Sequence, residues 1–418
     1  MTDLHTRDAT HDDLPAILRV RSRSFGPLGS GGTDWWDRVA AETLGGRMVV
    51  VTDEAGAVVG SGRIRPFEQA WGGRHLRMGG VAGVYVEPSA RGRGVATTLT
   101  RALIHRMGDL GDVVSCLFPT APALYRRSGY ETGGVQSRTT LPAPLVRSLG
   151  AAAEGRRVRP ATPDDAESLT ALTRAAQARD GQSGPMVPRP EVFRRMLEHD
   201  ELIAYVAGHD RGSGEPTGFV VYELTGEAAT VEHLVAHDRA TAAALWGVVG
   251  SGSSAVPTVH TYLDPRDPVL LSLAGLPEAQ VTQVPWMARV IDLAAAFEGR
   301  GFPPHTTASV ELDVTDADAP ANAGRWRLAV EDGSGRATRL AEGTARASGQ
   351  VDASGGVDAS GGADASVPRV DARGLAALWC GWSVSRVRLA GLLQGGSPDT
   401  DTALDAVFAS APYITEYF

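Results

Sequence analysis

Val84-Tyr85-Val86-Glu87-Pro88-Ser89-Ala90-Arg91-Gly92-Arg93-Gly94-Val95-Ala96 is the stretch on which the fold turns. A short β-branched and aromatic run stops at Glu87-Pro88, because proline cannot donate to a sheet ladder. Two glycines follow, and beyond them Val95, Leu99, Leu103 and Met107 recur at helical spacing, which predicts a helix over 94–107. Gly92 and Gly94 permit backbone conformations closed to other residues and let main chain approach a ligand closely. Free N–H groups at a helix start, with Arg91 and Arg93 beside them, make a cradle suited to a pyrophosphate. Taken alone, the same pattern is also that of an ordinary glycine-rich turn.

Working outward, residues 48–52 and 58–64 read as strands around a Glu54-Ala55-Gly56 turn. Residues 81–86 and 113–118 read as further strands, and 124–128 as the start of another helix. Strand, glycine turn, helix and strand form a crossover unit of a mixed α/β sheet. The opening Arg7-Asp8-Ala9-Thr10-His11-Asp12-Asp13 returns as Arg159-Pro160-Ala161-Thr162-Pro163-Asp164-Asp165. Each has Thr with Asp three positions on, a helix start of capping-box type, which predicts a tandem duplication.

From about residue 289 the pattern changes. Residues 290–297 read as a helix closed by Gly299, followed by strand-like runs at 309–314, 325–331 and 338–343. Residues 375–379, 387–393 and 403–408 read as helices, giving a small α+β third domain. Between them, Val-Asp-Ala-Ser-Gly-Gly occurs twice from Val351, and 347–367 is expected to be a solvated low-complexity loop. The expected boundaries are 1–150, 151–290 and 291–418.

A chain of 418 residues, 43% hydrophobic and 21% charged, is long enough for about two to three domains with cores of their own. No apolar run reaches the roughly 20 residues of a membrane span, and Thr2, Asp3, His5, Arg7 and Asp8 are not the opening of a signal peptide. The net charge of −9 argues against a nucleic-acid partner and favours cationic small molecules. No lysine occurs, so all 40 of these bases are Arg. Cys116 and Cys380 make neither a disulfide framework nor a metal spacing, so a reducing cytoplasm is expected. The histidines show no ligand spacing either, and no metal is expected.

Arg-x-x-Gly-x-Ala at 91–96, together with Leu124-Tyr125-Arg126-Arg127-Ser128-Gly129-Tyr130, resembles the GNAT acetyltransferase superfamily in its acetyl-CoA pyrophosphate loop and its Tyr-x-x-x-Gly-aromatic segment. A Walker loop is excluded by the missing Gly-Lys-Ser/Thr, and a dinucleotide fingerprint by the missing third glycine. The resemblance implies that Val84, Tyr85 and Val86 pair with the pantetheine arm as an added strand, with a main-chain N–H near Val86 polarising the thioester carbonyl. It further implies coenzyme contacts from Arg91, Gly92, Arg93, Gly94, Val95, Ala96, Thr97, Thr120 and Ala121. Tyr125 is the implied general acid. A tyrosine of pKa about 10 passes its proton to a thiolate of about 8.5–10 almost without cost. A tyrosine packed at a helix start is the other reading of that residue. In the second copy, Val231–Ala242 keeps strand then helix but has no glycine, and Asp238 stands where a phosphate would sit. One coenzyme per chain is therefore expected.

Two acetyltransferase-like domains, a small α+β domain and an ending of Leu404-Asp405-Ala406-Val407-Phe408-Ala409 through Phe418 look like the Eis (enhanced intracellular survival) family. That likeness implies a third domain resembling sterol carrier proteins, a homohexamer, and acetylation of polycationic amines such as aminoglycosides and basic peptides. It also implies that the terminal carboxylate of Phe418 is the general base. An α-carboxyl of pKa about 3.3–3.7 needs burial, or a less basic amine, to serve. A hydrophobic tail docked for stability is the other reading of this ending. Phe25, Trp35, Trp36 and Glu416 fall where substrate contacts are implied, the aromatics by cation–π attraction, and core packing is the other reading of each aromatic. Two other functions fit the motifs: an apolar-ligand carrier with a vestigial acetyltransferase fold, and an acetyltransferase for one dedicated amine metabolite.

Overall fold

A computed structural model describes residues 4–29, 32–209, 215–254, 256–273, 280–341 and 366–418, apart from the side chains of Thr33, Asp34 and Trp35. In chain order come β1 (His5–Asp8), α1 (Leu14–Phe25), α2 (Gly32–Thr43), β2 (Met48–Thr52), β3 (Val58–Trp71) and β4 (Arg74–Val86). Next are α3 (Val95–Asp109), β5 (Val114–Leu117), α4 (Pro122–Arg127) and β6 (Glu131–Pro142). Strands β7 (Arg156–Pro160), β8 (Leu202–His209), β9 (Gly218–Leu224), β10 (Ala228–Ala236), β11 (Thr258–Tyr262) and β12 (Gln280–Val290) follow. Last are β13 (Ala308–Thr315), β14 (Gly324–Glu331), β15 (Ser334–Arg339), β16 (Arg369–Asp371) and β17 (Leu393–Gln394).

These elements group into two compact units that cut across the consecutive stretches expected from the sequence. One consists of Met1–Pro66, Met78–Thr132 and Met287–Ser410, the other of Phe67–Arg77, Gly133–Trp286 and Ala411–Phe418. The physical reason is strand exchange. The end of β12, Met287–Val290, pairs antiparallel with Leu117–Val114 of β5, whereas the rest of that strand belongs to the second unit.

In the first unit the strand order is β1-β2-β3-β4-β5-β12, with β1, β2 and β3 antiparallel and β4 parallel to β5. Val95, Leu99, Leu103, Ile104 and Met107 of α3 are buried against Val49, Val51, Val81, Leu117 and Met287. Each such side chain contributes about 1.5–3 kcal/mol on leaving water. The same unit holds a second sheet, ordered β15-β14-β13-β16-β17. Here the expected elements shift. Val290 ends a strand, and the helix begins only at Leu293, where Asp292 caps it by accepting from Ala295 N at 2.9 Å. The helix expected at 387–393 runs over Val384–Leu389, stopped by Gly391 at φ +74°, and Leu393 joins β17. The strand expected at 338–343 is β15, which ends at Arg339. Of the expected loop at 347–367, residues 347–365 lie outside the described residues.

In the second unit the order is β6-β11-β10-β9-β8-β7, a mixed sheet in which β10 and β11 are parallel and the neighbouring pairs antiparallel. The two copies of the repeated segment make the same bonds. Thr10 N donates to Asp13 Oδ2 at 2.8 Å, and Arg7 forks onto that carboxylate at 2.6 and 2.7 Å. Thr162 N donates to Asp165 Oδ2 at 2.8 Å, and Arg159 forks onto it at 2.9 and 2.7 Å. The repeat in the sequence is thus a repeat of atomic geometry.

Candidate active site

Strands β4 and β5 run together and then part. Their parallel ladder covers Met78↔Val114, Gly79↔Ser115 and Gly80↔Cys116 and goes no further. Beyond it, Val81–Val86 continues as strand, with Glu87 N donating to Val59 O on the β3 side at 2.9 Å. The other edge of 81–86 therefore offers main-chain groups with no strand against them among the described residues. Such an edge accepts an extended amide-bearing chain as an added strand. Ser24 Oγ donates to Val86 O at 2.9 Å, and Phe25, 56% exposed, lies edge-on to Tyr85 with ring centroids 5.6 Å apart.

At the end of this strand the chain turns through Gly92 and Gly94, with φ of +79° and +86°. A Cβ on either would meet nothing within 4 Å, so the requirement for glycine is conformational. Gly94 is the N-cap of α3, and no side chain among the described residues caps that helix. The first intrahelical bond is Thr98 N to Gly94 O at 3.0 Å, so the N–H groups of Val95, Ala96 and Thr97 have no intrahelical partner. Uncapped amides at the positive end of a 15-residue helix form an anion site open to a diphosphate.

Thr120 and Ala121 lead from β5 into α4, and Ala121 is the N-cap of that helix. Tyr125, on α4, is 5% exposed and packs edge-on to Tyr130 at 6.0 Å. Its hydroxyl makes no hydrogen bond to a described residue, whereas Tyr130 Oη pairs with Ser115 Oγ at 2.8 Å. Burial pushes the Tyr125 hydroxyl up to about 12, so at neutral pH it is a proton donor only. The near-balanced transfer expected from an ordinary tyrosine is thereby shifted. Burial acts in the same sense on a thiolate formed beside it, which restores part of the balance.

Residues 5–133 match the family described as acetyltransferase (GNAT) domain, and 185–290 match a second family of the same description. Residues 293–415 match the sterol carrier protein domain family. The crystal structure of a GCN5-related N-acetyltransferase from Kribbella flavida is 39% identical, covers 100% of this chain and 99% of its own, and superposes with a TM-score of 0.87. The chain belongs to the GCN5-related N-acetyltransferases. An uncharacterised N-acetyltransferase of Streptomyces coelicolor is 28% identical over 65% of this chain and 69% of its own length. The N-acetyltransferase Eis of Mycobacterium bovis is 28% identical over 79% of this chain and 83% of its own. The fold of a GCN5-related N-acetyltransferase implies acetyl-CoA as acyl donor, and the parted strands and uncapped helix of the first unit suit the pantetheine and diphosphate of that molecule.

The second acetyltransferase copy fills with its own side chains what the first leaves open. The helix Arg239–Gly250 is capped by Asp238, whose carboxylate accepts from Thr241 N at 2.9 Å and from Arg156 Nη2 at 3.0 Å. A carboxylate at that place repels a phosphate. Among the described residues no group of three or more His, Cys, Asp or Glu is placed to hold a metal ion, and no helix is long and apolar enough to cross a membrane.

Of the implied substrate contacts, Phe25 is exposed, but Trp36 is 5% exposed and packs with Ile17, Val20, Met48, Val50 and Tyr85. Trp36 is a core residue rather than a surface aromatic: the apolar stripe of α2 needs a partner on the sheet. The side chain of Trp35 lies outside the described residues. Phe418 and Glu416 belong to the second unit. There the tail is tied down by Tyr413 N to Ser183 O at 3.1 Å and by Gln136 Nε2 to Thr415 O at 2.9 Å. Glu416 accepts from Met186 N at 3.3 Å, and burial pushes its carboxyl above the ordinary range. The Phe418 ring lies 5.1 Å from that of Phe67.

Sequence reasoning missed Glu131. Its carboxylate accepts from Arg126 Nη2 at 2.9 Å, from Thr132 N at 2.9 Å and from Arg373 Nη2 at 2.6 Å. Only its place directly after the Gly129-Tyr130 motif could have drawn attention to it.

Proposed function

We propose that this enzyme transfers the acetyl group of acetyl-CoA to amino groups of polycationic small molecules of the aminoglycoside kind, or of basic peptides, by direct attack of the amine. The observation that carries the donor half is the parted β4 edge leading into the uncapped start of α3. The acceptor half is supported by the likeness to Eis and by a net charge of −9, which draws cations.

When bound, acetyl-CoA supplies an activated acyl carbon. The main-chain edge of Val84–Val86 holds its arm and aims an N–H at the carbonyl oxygen. The amine nitrogen forms the new C–N bond as the C–S bond breaks, with the electron pair leaving on sulfur. Tyr125 gives its hydroxyl proton to that sulfur. The α-carboxylate of Phe418 takes the proton that the amine must lose, a role that rests on the family likeness. Phe25 and Glu416 are assigned to the cationic substrate. A homohexamer is implied by the same likeness, and sedimentation tests it; a cytoplasmic location rests on Cys116 and Cys380, which make no disulfide framework.

The decisive experiment is calorimetry with acetyl-CoA, followed by a panel of amines read by mass spectrometry for the number of acetyl groups added. Absence of coenzyme binding sinks the donor assignment and returns the chain to the apolar-carrier reading. Binding without thiol release on aminoglycosides or basic peptides sinks the acceptor class alone. Extending the chain beyond Phe418 is expected to abolish turnover and spare coenzyme affinity, and full turnover in that variant removes the carboxylate from the mechanism.

A further inference from the structure

We propose that the sterol-carrier-like part of the first unit is a brace that sets the position of Tyr125, with Glu131, Arg373 and Arg289 as positioning residues. The proposal rests on the reading of Tyr125 as the proton donor. The Tyr125 hydroxyl has no hydrogen bond to a described residue, so its placement depends on how α4 is seated. That short helix runs straight into Gly129–Thr132, and this turn is gripped from residues 287–410 at each step.

Arg373, at the start of the helix Ala372–Trp379, donates through Nε and Nη2 to Glu131 Oε2 at 3.0 and 2.6 Å. Glu131 in turn holds Arg126, the residue beside Tyr125, through Nε and Nη2 at 3.1 and 2.9 Å. Trp382 Nε1 donates to Thr132 O at 2.9 Å. Beneath the turn, a Cβ on Gly129 would stand 1.7 Å from Arg289 Nη1 and 2.6 Å from Ala372 Cβ. Arg289 is itself fixed by Asp316 Oδ1 at 2.6 Å, with Asn322 Nδ2 on the other oxygen at 3.2 Å. A fork of charge-assisted bonds from the sterol-carrier-like part, and a close-packed contact from Arg289 at the end of β12, which Asp316 of that part anchors, thus bear on the same helix end. Two-point fixation of this kind orients as well as stabilises.

The test is Arg373→Met, which keeps the aliphatic stem and removes the fork, measured in the full-length protein with a well-turned-over amine. The expected result is a fall in kcat of about ten- to a hundredfold, with the calorimetric Kd for acetyl-CoA and the KM for the amine unchanged. Arg373→Lys restores part of the loss. In a Tyr125→Phe background, Arg373→Met lowers kcat no further. Glu131→Gln, which preserves shape, is the second variant should Arg373→Met fold poorly, and the same pattern is expected of it. A lower Tm with full kcat, or an equal loss in both backgrounds, shows a purely structural tie and overturns the brace. Full kcat in Tyr125→Phe alone overturns the donor assignment instead, so the two failures are told apart.

Discussion

Arg289 Nη1 occupies the space that a side chain at Gly129 would need, within 1.7 Å of where its Cβ would stand. The glycine of the Tyr-x-x-x-Gly-aromatic segment is therefore required twice, by a φ of +81° and by this guanidinium. Arg289 cannot withdraw cheaply, since it is fully buried and paired with the equally buried Asp316.

Gly129→Ala is accordingly expected to lower stability by at least about 2 kcal/mol, from overpacking and backbone strain together. Denaturant unfolding of the variant against wild type checks this, and a change within about 0.5 kcal/mol would contradict it.

Gly94→Ala tests the anion cradle without a steric complication, because open space surrounds that position. Holding alanine at φ +86° costs about 1–2 kcal/mol. If the turn must keep this shape to present its amides, the Kd for acetyl-CoA rises about five- to thirtyfold by calorimetry.

The Tyr125 hydroxyl is raised by burial to about 12, so its protonated form persists well above neutrality. The pH profile of kcat is expected to show no descending limb from this residue below about pH 10. Stability linked to it is complete below pH 10 and declines as pH rises toward 12. Tyr125→Phe should cost about a hundredfold or more in kcat. A limb near pH 8–9 that disappears in this variant would contradict the burial.

Glu131 behaves oppositely. Burial alone would push its carboxyl up, but hydrogen bonds from Arg126, Thr132 and Arg373 outweigh burial and hold it at about 2. Its contribution is present above an ordinary pKa of about 4.3 and is lost as pH falls toward 2, an effect of at most about 3 kcal/mol. Between pH 5 and 3 the Tm of wild type should therefore drop more steeply than that of Glu131→Gln. Parallel curves would remove the linkage.

Titration of the intact chain should give one acetyl-CoA per polypeptide, because Asp238 already occupies the helix start in the second copy. Asp238→Ala removes a cap worth about 1 kcal/mol of stability and is expected to leave acetylation rates unchanged. A stoichiometry of two would overturn this reading.

The fold class is legible in the sequence because its signals are local. Met48–Thr52 is a run of five buried residues bounded by turn residues, and α3 shows its apolar stripe from Val95 to Met107. The repeated Arg, Thr and Asp at each start encode a bond pattern within seven residues. What escapes is long-range. Nothing near Val290 says that it pairs with Val114 rather than opening a helix, since a short apolar run suits either. Trp36 suits a cation contact and a packed core equally until the sheet beneath it is known. The Glu131–Arg373 bond joins residues too far apart in the chain for spacing to announce it.

The exchanged end of β12 also constrains how the polypeptide comes into being. Leu117 finds its neighbour only when Met287 has left the ribosome, so the sheet of the first acetyltransferase match cannot close during synthesis of its own segment. Until then β5 presents a bare edge, the kind of surface on which nascent chains stick to one another. An excised fragment stopping near residue 150 inherits that edge permanently, and the first acetyltransferase copy is not to be had whole by simple truncation.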